Sequence, residues 1–246
     1  MKEWIYGRNP VFEALRAGRR QVFQLNLAQG AQTKGRLGEI LSLAGKKNLR
    51  IREVPRQELD RLDVNHQGVA LQVGEYPYAG LEDMLNLAAE RSEPPFILIL
   101  DALQDPQNLG TLLRTAEAVG VHGVLMPLRR TATITPAVVA ASSGASEHLL
   151  VGQANLAQAM DVLVEENLWL IGLDGGEESQ PLEQVDLSGP LGLVVGNEGQ
   201  GMRRLVREKC DILLRLPMRG RIESLNAAVA GSVALYLALG ARGKNK

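Results

Sequence analysis

The run Gly196-Asn197-Glu198-Gly199-Gln200-Gly201 follows directly on the apolar stretch Leu191 to Val195, and Ser224-Leu225-Asn226 opens a long apolar segment further on. Both read as strand, polar turn, helix, an order that presents backbone N–H groups and short polar side chains to a small ligand. A third segment, Asp101 to Ala116, sets an N-cap-like Asn108 at the start of a helix that carries Arg114 almost two turns later. At that spacing the two need not share a face. The planar fork of Arg114 suits phosphate oxygens and a developing alkoxide, whereas a guanidinium, which holds its proton, is a poor base. Glu198 could orient Arg114, orient a substrate hydroxyl, or cap the helix that begins near Met202. Ser224 and Asn226 offer hydrogen bonds to a ligand, and Ser224 also suits the N-cap of the final helix.

Other chemistries lack their residues. Dinucleotide and phosphate-loop enzymes need G-x-G-x-x-G or G-x-x-x-x-G-K-[ST] at a strand-to-helix turn, and the chain has neither. The single Cys210 excludes an intramolecular disulfide, and His66, His122 and His148 are too scattered for metal-ligand spacing, so no metal is expected. His66, just ahead of Gln67-Gly68, reads as a turn residue rather than a general base. No apolar run approaches the roughly 20 residues that cross a bilayer, and the first residues lack a signal-peptide pattern, so a cytoplasmic protein without a membrane partner is expected. The net charge of −1 conceals an asymmetry: residues 1–75 hold 13 Lys and Arg against 8 Asp and Glu, and the remainder 14 against 20. The basic front, with Arg16, Arg19, Arg20, Lys34, Arg36, Lys46, Lys47, Arg50 and Arg52, fits attraction to a polyanion such as RNA and equally a solvated surface.

The elements that must position these residues fall into two groups. Residues 1–75 read as a small α/β unit with helices near Asn9 to Ala17 and Lys34 to Lys47 and strands at Val22 to Leu27, Arg50 to Val54 and Val69 to Val73. Residues 76–93 read as a linker, broken at Tyr76-Pro77 and Pro94-Pro95 around a helix Leu81 to Glu90. From residue 94 to 246 short apolar strands alternate with helices: Phe96 to Leu100, Gly123 to Met126, Leu168 to Leu173, Leu191 to Val195 and Ile212 to Leu216. Strands apolar on both faces indicate a mostly parallel sheet with helices on either side. Ligands of such sheets bind beyond the strands' carboxyl ends, which selects Asp101 to Arg114, Asp174 to Glu178, Gly196 to Gly201 and Pro217 to Asn226.

Together, Asn108 with Arg114, the Gly196 to Gly201 loop, and Leu216-Pro217-Met218 with Ser224-Leu225-Asn226 resemble, in order, the three motifs of the SpoU or TrmH branch of the SPOUT superfamily. These are RNA 2′-O-ribose methyltransferases that use S-adenosylmethionine. The resemblance covers the chain from about Pro94 to its end, and the basic front is similar to the ribosomal-protein-like RNA-binding domain of a subgroup that methylates a guanosine of 23S ribosomal RNA. It implies a C-terminal trefoil knot, a homodimer whose active site borders the subunit interface, and a cofactor held in a bent pose by Gly196, Leu216, Met218, Leu225 and Asn226; the apolar final helix Leu225 to Leu239 could contribute to that interface and could equally be core. Catalysis would fall to Asn108, Arg114, Glu198, Ser224 and Asn226. The same motifs are compatible with a transfer RNA substrate, or with a ribosome assembly factor that binds RNA without turnover. The chain departs from the family at Ala227 and Ala228, where a valine and a serine are common. Arg219 and Arg221 could add phosphate contacts, and Thr135 to Glu147 resembles family sequence without a defined role.

Overall fold

The computed structural model describes residues 2–129, 131–222 and 224–243. The chain forms two compact units, one of residues 1–77 with 133–148, the other of residues 78–132 with 149–246.

The first unit is a four-stranded sheet in the order β1 (Glu3–Tyr6), β4 (Val69–Val73), β2 (Val22–Ala28), β3 (Arg50–Val54), antiparallel except for the β2 and β3 pair. Helices α1 (Arg8–Ala17) and α2 (Arg36–Lys46) pack together and bury Val11, Leu15, Leu37 and Ile40; α3 (Arg56–Asp60) is a single short turn. His66 is wholly buried, its Nδ1 accepting the Gly68 N–H at 2.9 Å while its Nε2 donates to Asp60 at 2.9 Å, so it closes the turn before β4. Residues 133–148 add a short helix and a 3-10 turn, fastened by a buried Arg20, which donates from Nε to Glu147 at 3.0 Å and from Nη1 to Glu3 at 3.1 Å. Burial pushes the Glu147 carboxyl up against the pull of Arg20. Arg19 donates to the Pro77 carbonyl at 3.1 Å and to the Tyr76 hydroxyl at 3.3 Å. Two cations of the basic front are therefore engaged within the unit.

The second unit begins with α4 (Leu81–Glu90), in the stretch that reads as a linker from sequence. It packs on the sheet through Met84, whose side chain occupies the space that a Cβ on Gly123 or Gly152 would take; at Gly123 that Cβ would lie 2.2 Å from the sulfur. The strands and helices that follow are β5 (Phe96–Leu100), α5 (Pro106–Ala118), β6 (Gly123–Pro127), α6 (Pro136–Ala141, within the first unit), β7 (Val151–Ala154), α7 (Leu156–Glu165), β8 (Trp169–Leu173), β9 (Gln180–Pro181), β10 (Leu191–Val195), α8 (Arg204–Glu208), β11 (Ile212–Arg215) and α9 (Ala227–Gly243). Seven strands form one sheet in the order β7-β6-β5-β10-β8-β11-β9, parallel at every pairing among the described residues. Helices α4, α7 and α8 share a core with Ile97, Ile99, Leu125, Leu170 and Val194. On the opposite face α5 and α9 pack together, Gly231 fitting against Leu112 and Val195. No helix among the described residues is long and apolar enough to cross a membrane.

Candidate functional site

Four neighbouring strands, β5, β10, β8 and β11, end at the same edge of the sheet, and the loops beyond them converge. Three of these loops, with the start of α9, enclose a cavity of about 370 Å³. Gly196, Glu198, Leu216, Met218, Ser224 and Leu225, all singled out from sequence, line it. Asp174 and Gly175 beyond β8 and Ala227 and Ala230 of α9 join them.

The glycine loop is shaped by a close crossing of its own backbone. Asn197 and Gly201 exchange both backbone hydrogen bonds, at 3.0 and 2.9 Å, and the Asn197 Oδ1 accepts the Gly199 N–H at 2.9 Å. A Cβ on Gly196 would stand 2.4 Å from the Gly201 carbonyl carbon and the Met202 nitrogen, so only glycine fits there. The loop is also moored to the end of β5. Asp101, fully buried, accepts from the Arg203 backbone N–H and from its Nε, each at 2.7 Å, while the Asn197 Nδ2 donates to the Ala102 carbonyl at 2.9 Å.

Asn108, Glu198 and Asn226 meet in one node. The Asn108 and Asn226 amides both donate to Glu198 Oε1, the latter at 2.6 Å, and Asn226 Nδ2 lies 3.2 Å from Asn108 Oδ1. Each of the three motifs supplies one member. Three local expectations are corrected here. Asn108 is not the N-cap of α5: Pro106 begins the helix, and the Asp105 carboxylate accepts from the Gln107 and Asn108 N–H groups at 3.1 and 3.3 Å. Ser224 does not cap α9, because that helix starts at Ala227 and the Asn226 Oδ1 accepts from the Ala228 and Val229 N–H groups at 2.9 and 3.1 Å. Glu198, likewise, binds two amides rather than capping α8.

Arg114 lies on α5 with its side chain exposed and does not line the cavity. Its helix is joined to α9 through Thr115 and Ser232, whose hydroxyl oxygens are 2.9 Å apart. Asp174, which no motif marked, accepts the Gly176 N–H at 2.7 Å and Arg207 Nε at 3.0 Å. Burial opposes its charge, but the Gly176 N–H and the Arg207 guanidinium outweigh it and hold the carboxyl below the usual range. Residues 133–148 belong to the first unit and do not line this cavity.

A polar node beside a cavity whose walls are about half apolar and half polar is an arrangement for binding one small molecule and orienting a second reactant at its edge. The model of the SpoU rRNA Methylase family matches residues 95–236, and that described as RNA 2′-O ribose methyltransferase substrate binding matches residues 4–79. YacO of Bacillus subtilis (strain 168), assigned to the TrmH family of tRNA/rRNA methyltransferases, is 43% identical over 95% of this chain and 94% of its own length. The SpoU methyltransferase AviRb from Streptomyces viridochromogenes, solved with the cofactor AdoMet, superposes with a TM-score of 0.81 at 24% identity, covering 99% of this chain and 91% of that one. The AdoMet-bound rRNA methyltransferase from Sinorhizobium meliloti gives 0.75 at 23% identity, with 96% and 86% covered. At these identities the two structures speak for the fold.

Proposed function

Because the chain belongs to the SpoU rRNA methylase family, we propose that it methylates a ribose 2′-hydroxyl of RNA with S-adenosylmethionine, on a guanosine of 23S ribosomal RNA. The observation that carries this reading is the meeting of Asn108, Glu198 and Asn226 at the rim of the cavity.

The cavity fits the methyl donor on its own geometry. Its volume of about 370 Å³ falls in the range of small-molecule sites, and Leu216, Met218 and Leu225 offer an adenine ring apolar walls. Gly175 and Gly201 line it, and a Cβ on either would meet no protein atom within 4 Å, so their backbone faces open space. S-adenosylmethionine supplies a methyl carbon already activated by its sulfonium. The protein's residues then have to align the ribose oxygen in line with that carbon and manage the hydroxyl proton. Positioning two bound reactants lowers a barrier by about 7 to 11 kcal/mol in well-oriented cases. Arg114 clamps the phosphate beside the target ribose and stabilises the alkoxide as its proton leaves for water; Asn108, Glu198 and Asn226 hold the rim rigid, and Ser224 hydrogen-bonds the bound reactants.

The active form is a homodimer. Val229, Val233, Tyr236 and Leu239 make an exposed apolar stripe along α9, on the side away from Ala228, Gly231, Ala234 and Leu235. The trefoil knot implied by the motif resemblance belongs to the same proposal.

Incubation with a labelled methyl donor and unmodified 23S ribosomal and transfer RNA transcripts tests the substrate. Label on a 23S guanosine 2′-oxygen is expected, label on transfer RNA alone would transfer the reading to that substrate, and cofactor binding without transfer to either would leave an RNA-binding factor. Arg114→Ala should abolish transfer while calorimetry shows unchanged S-adenosylmethionine affinity.

A further inference from the structure

The first unit contains a second cleft, of about 360 Å³, that the methyl-transfer site does not use. Arg8 at the start of α1 and Arg56 at the start of α3 flank it, and Gln29, Gln32, Gln67 and Gly68 contribute to its walls. Among the described residues no carboxylate lines it.

The cleft has a fixed floor. The Gln29 N–H donates to the Val54 carbonyl and the Ala28 N–H to the Gly68 carbonyl, each at 2.9 Å, while buried His66 holds the Gly68 N–H. Arg8 is tethered through Nε to the Gln67 carbonyl at 3.2 Å, and its backbone N–H donates to Gln67 Oε1 at 3.1 Å. That leaves the terminal amino groups of Arg8, and the whole guanidinium of Arg56, without a partner among the described residues. Two such forks with no opposing carboxylate attract phosphate. Side-chain amides, which carry a donor and an acceptor side by side, match the edge of a nucleobase. A base shows that edge only when unstacked, as in RNA loops and bulges, and the cleft is too small for a duplex.

We propose that this cleft grips one unpaired nucleotide of the substrate RNA, with its phosphate on Arg8 and Arg56 and its base edge on the glutamines. The inference rests on RNA being the substrate, and adds the place where the first unit holds it.

The test uses the full chain and an unmodified 23S ribosomal RNA transcript, with dissociation constants measured by filter binding across a salt series. Arg56→Glu should weaken binding about tenfold or more and lower the salt slope by about 0.7 for each single-stranded phosphate no longer neutralised. Gln32→Ala should weaken it several-fold with the slope unchanged. Arg50→Glu, an equal charge reversal at an exposed position on β3 outside the cleft, is the control, and S-adenosylmethionine affinity should stay constant throughout. Arg56→Glu binding no worse than Arg50→Glu would overturn the proposal, whether the cleft then serves a protein or nothing. A wild-type chain that transfers no methyl group to RNA, with the contrast between the two reversals preserved, would instead sink the proposed reaction and leave the cleft standing.

Discussion

Asn226 does two jobs that substitution can separate. Its Oδ1 caps α9 through the Ala228 and Val229 N–H groups, and its Nδ2 donates to Glu198 at 2.6 Å and Asn108 at 3.2 Å. Asn226→Ala loses both. Loss of the cap costs about 1 kcal/mol, and loss of the exposed carboxylate bond about 1 more. For a chain of this size about 2 kcal/mol lowers Tm by roughly 4 to 8 °C. Asn226→Asp keeps a good cap and favours the helix dipole, yet sets a second carboxylate against Glu198. At about 4 Å two like charges repel by about 1 kcal/mol in bulk water and about 4 kcal/mol at an intermediate dielectric; the exposure of both residues favours the lower figure. The Asp variant keeps the cap but loses the Glu198 bond and adds that repulsion, about 2 kcal/mol offset by about 0.5 kcal/mol from the helix dipole, so it should melt roughly 3 to 6 °C below wild type, while single-turnover methyl transfer falls about tenfold or more as Glu198 swings away. Thermal melts, a calorimetric S-adenosylmethionine titration and a single-turnover assay read the three quantities. Wild-type transfer by Asn226→Asp would refute the node as a working part of the site.

Gly196→Ala forces a Cβ to within 2.4 Å of the Gly201 and Met202 backbone, so the loop must open; S-adenosylmethionine affinity by calorimetry should fall at least about tenfold with the far-ultraviolet spectrum unchanged. His122 is buried, its Nδ1 accepting the Phe96 N–H at 3.0 Å, and burial holds its pKa below 6.5. A lowered imidazole pKa contributes stability that is complete above 6.5 and lost as pH falls below it, so the Tm of the wild type should drop more steeply under acid than that of His122→Gln; parallel profiles would contradict this. Tyr236→Glu on the exposed face of α9 should shift the protein to monomer in analytical ultracentrifugation, with a Tm that no longer rises with protein concentration as the wild type's does.

What the sequence revealed depended on how local the signal was. Strands β5, β6 and β10 are apolar throughout because both faces are buried, and they stand out for that reason. Strands β1, β7 and β9 are short and only partly buried, and α3 is five residues, so none leaves a periodic pattern. The residues of the cavity were legible because glycines, asparagines and a carboxylate sit in turns after strands. The mooring of Arg203 to Asp101 was not, since an ion pair between residues 102 positions apart has no local signature. The membership of residues 133–148 was hidden in the same way: a helix ended by Gly144 looks alike whichever unit it joins.

The two misplaced caps bear on how the site is built. Proline at position 106 has no N–H to lose at a first helical position and a preset φ, so α5 starts there and Asp105 becomes its cap. Asn108, with its backbone N–H already satisfied by Asp105, has its side chain released for Glu198. At the other helix the cap falls on Asn226, whose amide has an oxygen for α9 and a nitrogen for the node, and Ser224 is left to line the cavity. A serine cap would have used its only side-chain oxygen on the helix. Asparagine at 226 therefore couples the start of α9 to the loop carrying Glu198, and α9 in turn packs on the helix that carries Arg114. These contacts link the elements into one frame, which suits the alignment of ribose oxygen and methyl carbon proposed above.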